Sequence, residues 1–104
     1  MTASLAKIVT RSNGFFNIEK ADGTFVFESD YYKIERVSEN MVKLTKKTSN
    51  GQQVYNFAKI SEGKELFHEW FEKVTRFDEK GYARAVTARG AVCTITTNGI
   101  VEIN

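Results

Sequence analysis

His68 and Cys93 are the only histidine and the only cysteine in a chain of 104 residues. Nucleophilic catalysis sets a thiol or hydroxyl against a base that a third group orients, and a zinc centre takes three or four His, Cys or carboxylate ligands. Neither residue has a motif around it that supplies those partners. His68 falls among glutamates on a polar flank and reads as solvated. Cys93 falls inside a strand-like run and reads as a small core residue. The glycines at 14, 23, 51, 63, 81, 90 and 99 are isolated, with no phosphate-cradling GxGxxG or GxxxxGK[ST]. The sequence therefore predicts no enzyme, no catalytic residue, no cofactor and no metal.

Cationic side chains are the remaining chemistry. Residues 40–60 hold Lys43, Lys46, Lys47 and Lys59 and no acid, although the net charge of the whole chain is only +2. A patch of Lys43, Thr45, Lys47 and Asn56, extended by Arg84 and Arg89, would track phosphates and bind nucleic acid. Against that reading, the expected pairing turns Tyr55 and Phe57 to the other face, whereas single-strand binders set aromatics beside their cations. Ordinary solubilising charge explains the lysines equally well.

Three near-identical triplets, Ser12-Asn13-Gly14, Ser49-Asn50-Gly51 and Thr97-Asn98-Gly99, punctuate the chain. Asn-Gly between apolar runs marks a hairpin, most simply a two-residue type I′ loop. Such loops pair Val9 with Ile18 and Leu44 with Phe57. A two-residue loop at Asp22-Gly23 pairs Ile18 with Phe27. Ser38-Glu39-Asn40 must instead be a three-residue loop, because only then does Ile34 face Leu44. The flanks of the triplets do not match one another, so an internal repeat is not expected.

After Ser61, a residue suited to an N-cap, Leu66, Phe67, Trp70, Phe71, Val74 and Phe77 recur at helical spacing. The expected fold is α+β, one domain over residues 1–104. It comprises an antiparallel meander of about six short strands over residues 5–59, one amphipathic helix at 61–77 packed on the sheet with Trp70 near the core centre, and a closing set of C-terminal strands. The length leaves room for one core.

Two-residue pairing at Asn98-Gly99 puts Cys93, Ile95 and Ile100 on one side and Val92, Val101 and Ile103 on the other. Both sides are largely apolar, so one of them is expected to meet another surface. The function expected is a small non-catalytic contact module of regulatory or adaptor type. It binds another protein or a second copy of itself through Ile95 and Ile100, with Ile8 and Phe15 as further outward apolar residues. Nucleic-acid binding by the basic hairpin is the alternative, and a sheet cupping a small apolar ligand is a third. A lone cysteine, no apolar run approaching ~20 residues and charged Lys7 and Arg11 near the N-terminus lead to the expectation of a cytoplasmic protein with no membrane contact.

Overall fold

The computed structural model describes residues 6–103, and among them there is no helix. Ten strands follow in chain order: β1 (Lys7–Thr10), β2 (Phe16–Glu19), β3 (Lys33–Arg36), β4 (Met41–Lys47), β5 (Gln53–Lys59), β6 (Lys64–Glu65), β7 (Phe71–Val74), β8 (Tyr82–Thr87), β9 (Val92–Thr96) and β10 (Val101–Ile103). Strands β1 and β2 pair alone, while the others form an antiparallel sheet in the order β10-β9-β8-β7-β5-β4-β3, with β6 also on β5. An isolated bridge from Phe16 to Tyr31 links β2 to the start of β3. The antiparallel meander is as expected. The α+β class is not, because the segment read as a helix is a turn, two strands and a bend.

Six turns share one construction. The residue before the loop donates its N–H to the C=O of the residue four places on, as Arg11 does to Phe15, Thr48 to Gln52 and Thr96 to Ile100. The third loop residue is a glycine with φ between 86° and 89°, and among the described residues no other residue type has positive φ. This is a three-residue loop closed by a left-handed glycine, which needs one special conformation where a type I′ turn needs two. The residue before glycine keeps negative φ; Asn13 Oδ1 accepts the N–H of Phe15 at 2.9 Å and Asp22 Oδ1 that of Thr24 at 3.0 Å.

The longer loop slips each register by one residue. Ile18 faces Ile8, Phe57 faces Lys43, and Val101 faces Ile95. Because side chains alternate, a one-place slip turns a residue to the opposite face relative to its neighbour strand. Leu44 and Phe57, expected on one face, are therefore buried on opposite faces of the β4–β5 hairpin. The Ser38–Asn40 loop is the three-residue loop expected, and Ile34 faces Leu44.

Two asparagines account for the missing helix. Asn56, fully buried, accepts the N–H groups of Phe57 (2.7 Å) and Phe67 (3.2 Å) and donates to the carbonyls of Phe67 (3.0 Å) and Glu69 (3.3 Å). Leu66 N–H goes to Phe57 C=O. Those are groups an α-helix would need for its own ladder, so tertiary pairing overrides the helical spacing. Five of the six stripe residues are aromatic or β-branched and suit an extended chain. Ser61, expected as the cap, has its N–H on Asn40 Oδ1 instead.

Asn17 repeats the arrangement. It accepts from Ile18 (2.7 Å) and Phe27 (3.2 Å) and donates to the carbonyls of Phe27 (3.0 Å) and Ser29 (3.4 Å). In both places the amide fills the fork where a strand is flanked first by one segment and then by another. Asn17 and Asn56, Ile18 and Phe57, Phe27 and Phe67, and Tyr31 and Phe71 are each 39 or 40 residues apart. The chain therefore carries an internal structural repeat, contrary to expectation. The repeat was hidden because the three triplets are not equivalent: Gly14 and Gly51 close the first hairpin of their units, whereas Gly99 closes the second hairpin of the third.

Buried apolar residues form two clusters rather than one. Ile18, Phe27, Tyr31, Ile34, Val42, Leu44 and Ala58 make the first, and Met41, Phe57, Phe67, Phe71, Ala83, Ala85, Cys93 and Ile95 the second. The β4–β5 hairpin gives Val42, Leu44 and Ala58 to one and Met41 and Phe57 to the other. It is a wall shared by both. Trp70, expected at the core centre, packs on the margin of the first cluster.

A candidate contact face on the last three strands

Strand β8 alternates strictly. Ala83, Ala85 and Thr87 are buried, while Tyr82 and Arg84 are exposed and Val86 is half-buried. In β9, Cys93 and Ile95 are buried between Val92, Thr94 and Thr96. The pairs Tyr82–Thr96, Arg84–Thr94 and Val86–Val92 fix the rows, and Thr94–Glu102 adds β10. The outward face thus carries a row of Tyr82, Thr96 and Ile100, then Arg84, Thr94 and Glu102, then Val86 and Val92. Its apolar members remain open to solvent, Tyr82 at 48%, Val92 at 43% and Ile100 at 54% of their surface. On the corresponding side of the two earlier hairpins Ile18 and Phe57 are buried, packed in the same clusters as Phe27 and Phe67 respectively.

The expected interface residues are divided by this geometry. Ile95 is fully buried in the second cluster, because the register slip turns it inward with Val101 while Ile100 stays outside. Ile8 is half-buried against the first cluster, and Phe15 is 45% exposed at the β1–β2 turn. Those two belong to the separate β1–β2 hairpin, not to the sheet that ends at β10. Tyr82 and Val92, which complete the face, were not singled out from sequence. The clean alternation in YARAVT was the available signal.

Among the residues of the expected nucleic-acid patch, Thr45 and Asn56 are buried and off the surface. Lys43 and Arg84 do come together, lining a groove of about 550 Å3 with Tyr55 and Lys73. Lys43 Nζ stands 4.6 Å from the centre of the Tyr55 ring and 4.0 Å from Glu35 Oε1. Lys47 Nζ lies 4.6 Å over Tyr32, and Lys46 Nζ 4.6 Å over Trp70. The slip therefore sets Tyr55 on the same side as Lys43, which the expected pairing did not. Lys47 and the exposed Arg89 do not line the groove.

Comparison with protein-family models, curated proteins and solved structures finds no match.

A concavity of about 770 Å3 lies between the first and second units and includes His68, Asp30, Tyr31 and Glu65. Tyr31 donates its hydroxyl to Glu65 Oε2 at 3.1 Å, and burial followed by the nearby Glu65 charge pushes its ionisation well above the usual phenol range. A phenol so held is a poorer base or nucleophile, not a better one. Asp30 is held below the ordinary carboxylate range, first by Asn17 and then by Asn13 and Arg11. No group of three or more metal-ligating side chains occurs among the described residues. Among the described residues no helix is long and apolar enough to cross a membrane.

Burial, and then the charge of Glu69, raise the Cys93 thiol above its ordinary value. Since the thiolate is the reactive form, an aromatic disulfide reagent at neutral pH is expected to modify native Cys93 at least ~100-fold more slowly than the unfolded chain. Equal rates would mean that β9 opens freely.

Proposed function

We propose that this chain is a non-catalytic binding module acting by protein contact, through the outward face of β8, β9 and β10. One observation carries the reading: Tyr82, Val92 and Ile100 are exposed together on a regular sheet face, whereas the same side of the two preceding hairpins buries Ile18 and Phe57. Apolar rows that a repeat elsewhere buries favour a partner surface. Catalysis through His68 or Cys93 forms no part of the proposal. A reducing, cytoplasmic setting accords with the single, buried thiol.

A photo-crosslinking residue in place of Val92, in the full chain inside cells, tests the proposal. An adduct to polypeptide that disappears with Ile100→Asp supports it. That variant should stay folded within ~0.5 kcal/mol, because the side chain is exposed. No adduct, or one that survives Ile100→Asp in a folded chain, overturns it.

A second reading, nucleic-acid binding, is favoured by the placement of Tyr55 among Lys43, Lys73 and Arg84, since a base stacks best where cations flank an aromatic. It weighs less because the Tyr55 ring already holds the Lys43 ammonium and Glu35 lies beside that lysine. A crosslinker at Lys43 that captures RNA or DNA in a salt-sensitive manner would move the assignment there.

A further inference from the structure

The outward face bears a pattern that complements itself. Arg84 and Glu102 flank Thr94 on either side in the middle row, two strands and so roughly 10 Å apart. Neither side chain has an ion pair among the described residues. Above that row Tyr82 and Ile100 flank Thr96, and below it lie Val86 and Val92. A two-fold axis running along β9 between two facing copies exchanges the β8 side with the β10 side. It sets Arg84 over the partner's Glu102, Tyr82 over the partner's Ile100, and Val92 over the partner's Val92. Opposite charges meet twice, Tyr82 meets Ile100 twice and the two Val92 side chains meet each other, without any change in the fold.

We infer that the occupant of this face is a second copy of the chain, in an isologous dimer built by packing the two three-stranded faces against each other. The inference rests on the contact reading above and names its partner. Sheets stack face to face at about 10 Å, a gap that Tyr82, Val92 and Ile100 project into from both copies. A two-fold arrangement closes, so association stops at two. Eight outward residues make less than the ~800 Å2 per partner of a standard interface, so the dimer forms and dissociates with concentration.

The test uses three full-length proteins over about a hundredfold concentration range in sedimentation equilibrium, with circular dichroism to confirm folding. The unaltered chain should pass from monomer to dimer and no further. Arg84→Glu sets a carboxylate against the partner's Glu102 at both contacts, and Glu102→Arg sets two guanidinium groups against each other in the same way. Each variant alone should therefore lose affinity on the order of tenfold or more. Mixed together, the two variants should form a heterodimer at near-native affinity, because both contacts are then of opposite sign. Raising the salt should weaken the mixed pair. Misfolding cannot imitate that rescue. The inference falls if the unaltered chain stays monomeric throughout, if it grows past dimer, if either variant dimerises normally alone, or if the mixture fails to associate. An unaltered chain that stays monomeric while a crosslinker at Val92 still captures a different polypeptide would sink the second copy as partner and leave the contact reading standing. Dimerisation that requires added oligonucleotide would instead point to the basic groove.

Discussion

Replacing Asn56 with alanine is expected to destabilise the protein by about 3–5 kcal/mol, measured by urea unfolding followed by circular dichroism. The side chain has no solvent exposure and makes four hydrogen bonds, all to backbone groups. Alanine leaves the N–H of Phe57 and both polar groups of Phe67 without that partner, at a site where each orphaned group costs ~1–3 kcal/mol less whatever water recovers. Asn56→Asp should be at least as damaging at neutral pH. It keeps the two accepted bonds but turns a charged oxygen toward the carbonyls of Phe67 and Glu69. Burial raises the new carboxyl's ionisation point, so part of the loss should return as pH falls through that point and the group takes up a proton. A loss below ~1 kcal/mol for the alanine variant would show that the fork does not depend on the amide.

Phe71→Ala should cost about 3–5 kcal/mol, and more than Trp70→Ala by at least ~1 kcal/mol, in the same assay. Phe71 is fully buried, meets Phe67 edge-on at 5.4 Å, and its backbone bridges Tyr55. Trp70 is only partly buried, with Lys46 over its ring. The order matters because it separates the extended segment from the helix that its spacing suggests. On a helix, positions 70 and 71 would both lie in the apolar stripe, and the larger indole would dominate. A larger loss for Trp70→Ala would return the segment to the helical reading.

The hairpins were legible in the sequence because glycine is the residue that tolerates the left-handed turn position, wherever that position falls. Register was less legible. Asn-Gly is compatible with a loop of two residues or three, and the choice depends on whether the asparagine turns left-handed or keeps an ordinary φ and binds the backbone with its side chain. That one-residue difference moved Ile95 into the core and brought Tyr55 to Lys43. At 66–77 the periodicity was real but arose from corners between short strands, where Phe27, Tyr31 and Ile34 show the same spacing without a helix. The deciding residue, Asn56, sits outside that window. Of the candidate contact face, Ile100 was singled out from the expected Asn98-Gly99 pairing, whereas Tyr82 and Val92 required the β8–β9 register.

The wall between the two clusters ties the fate of each to that of the other. Val42, Leu44 and Ala58 back directly onto Met41 and Phe57 through a single hairpin, so melting either cluster strips one side of the strands that the other is built on. A local loosening near the first unit is therefore felt around Phe71 as a change in how often those strands open, with no lever or hinge between them. Whatever steadies one end of such a chain lends part of that steadiness to the other.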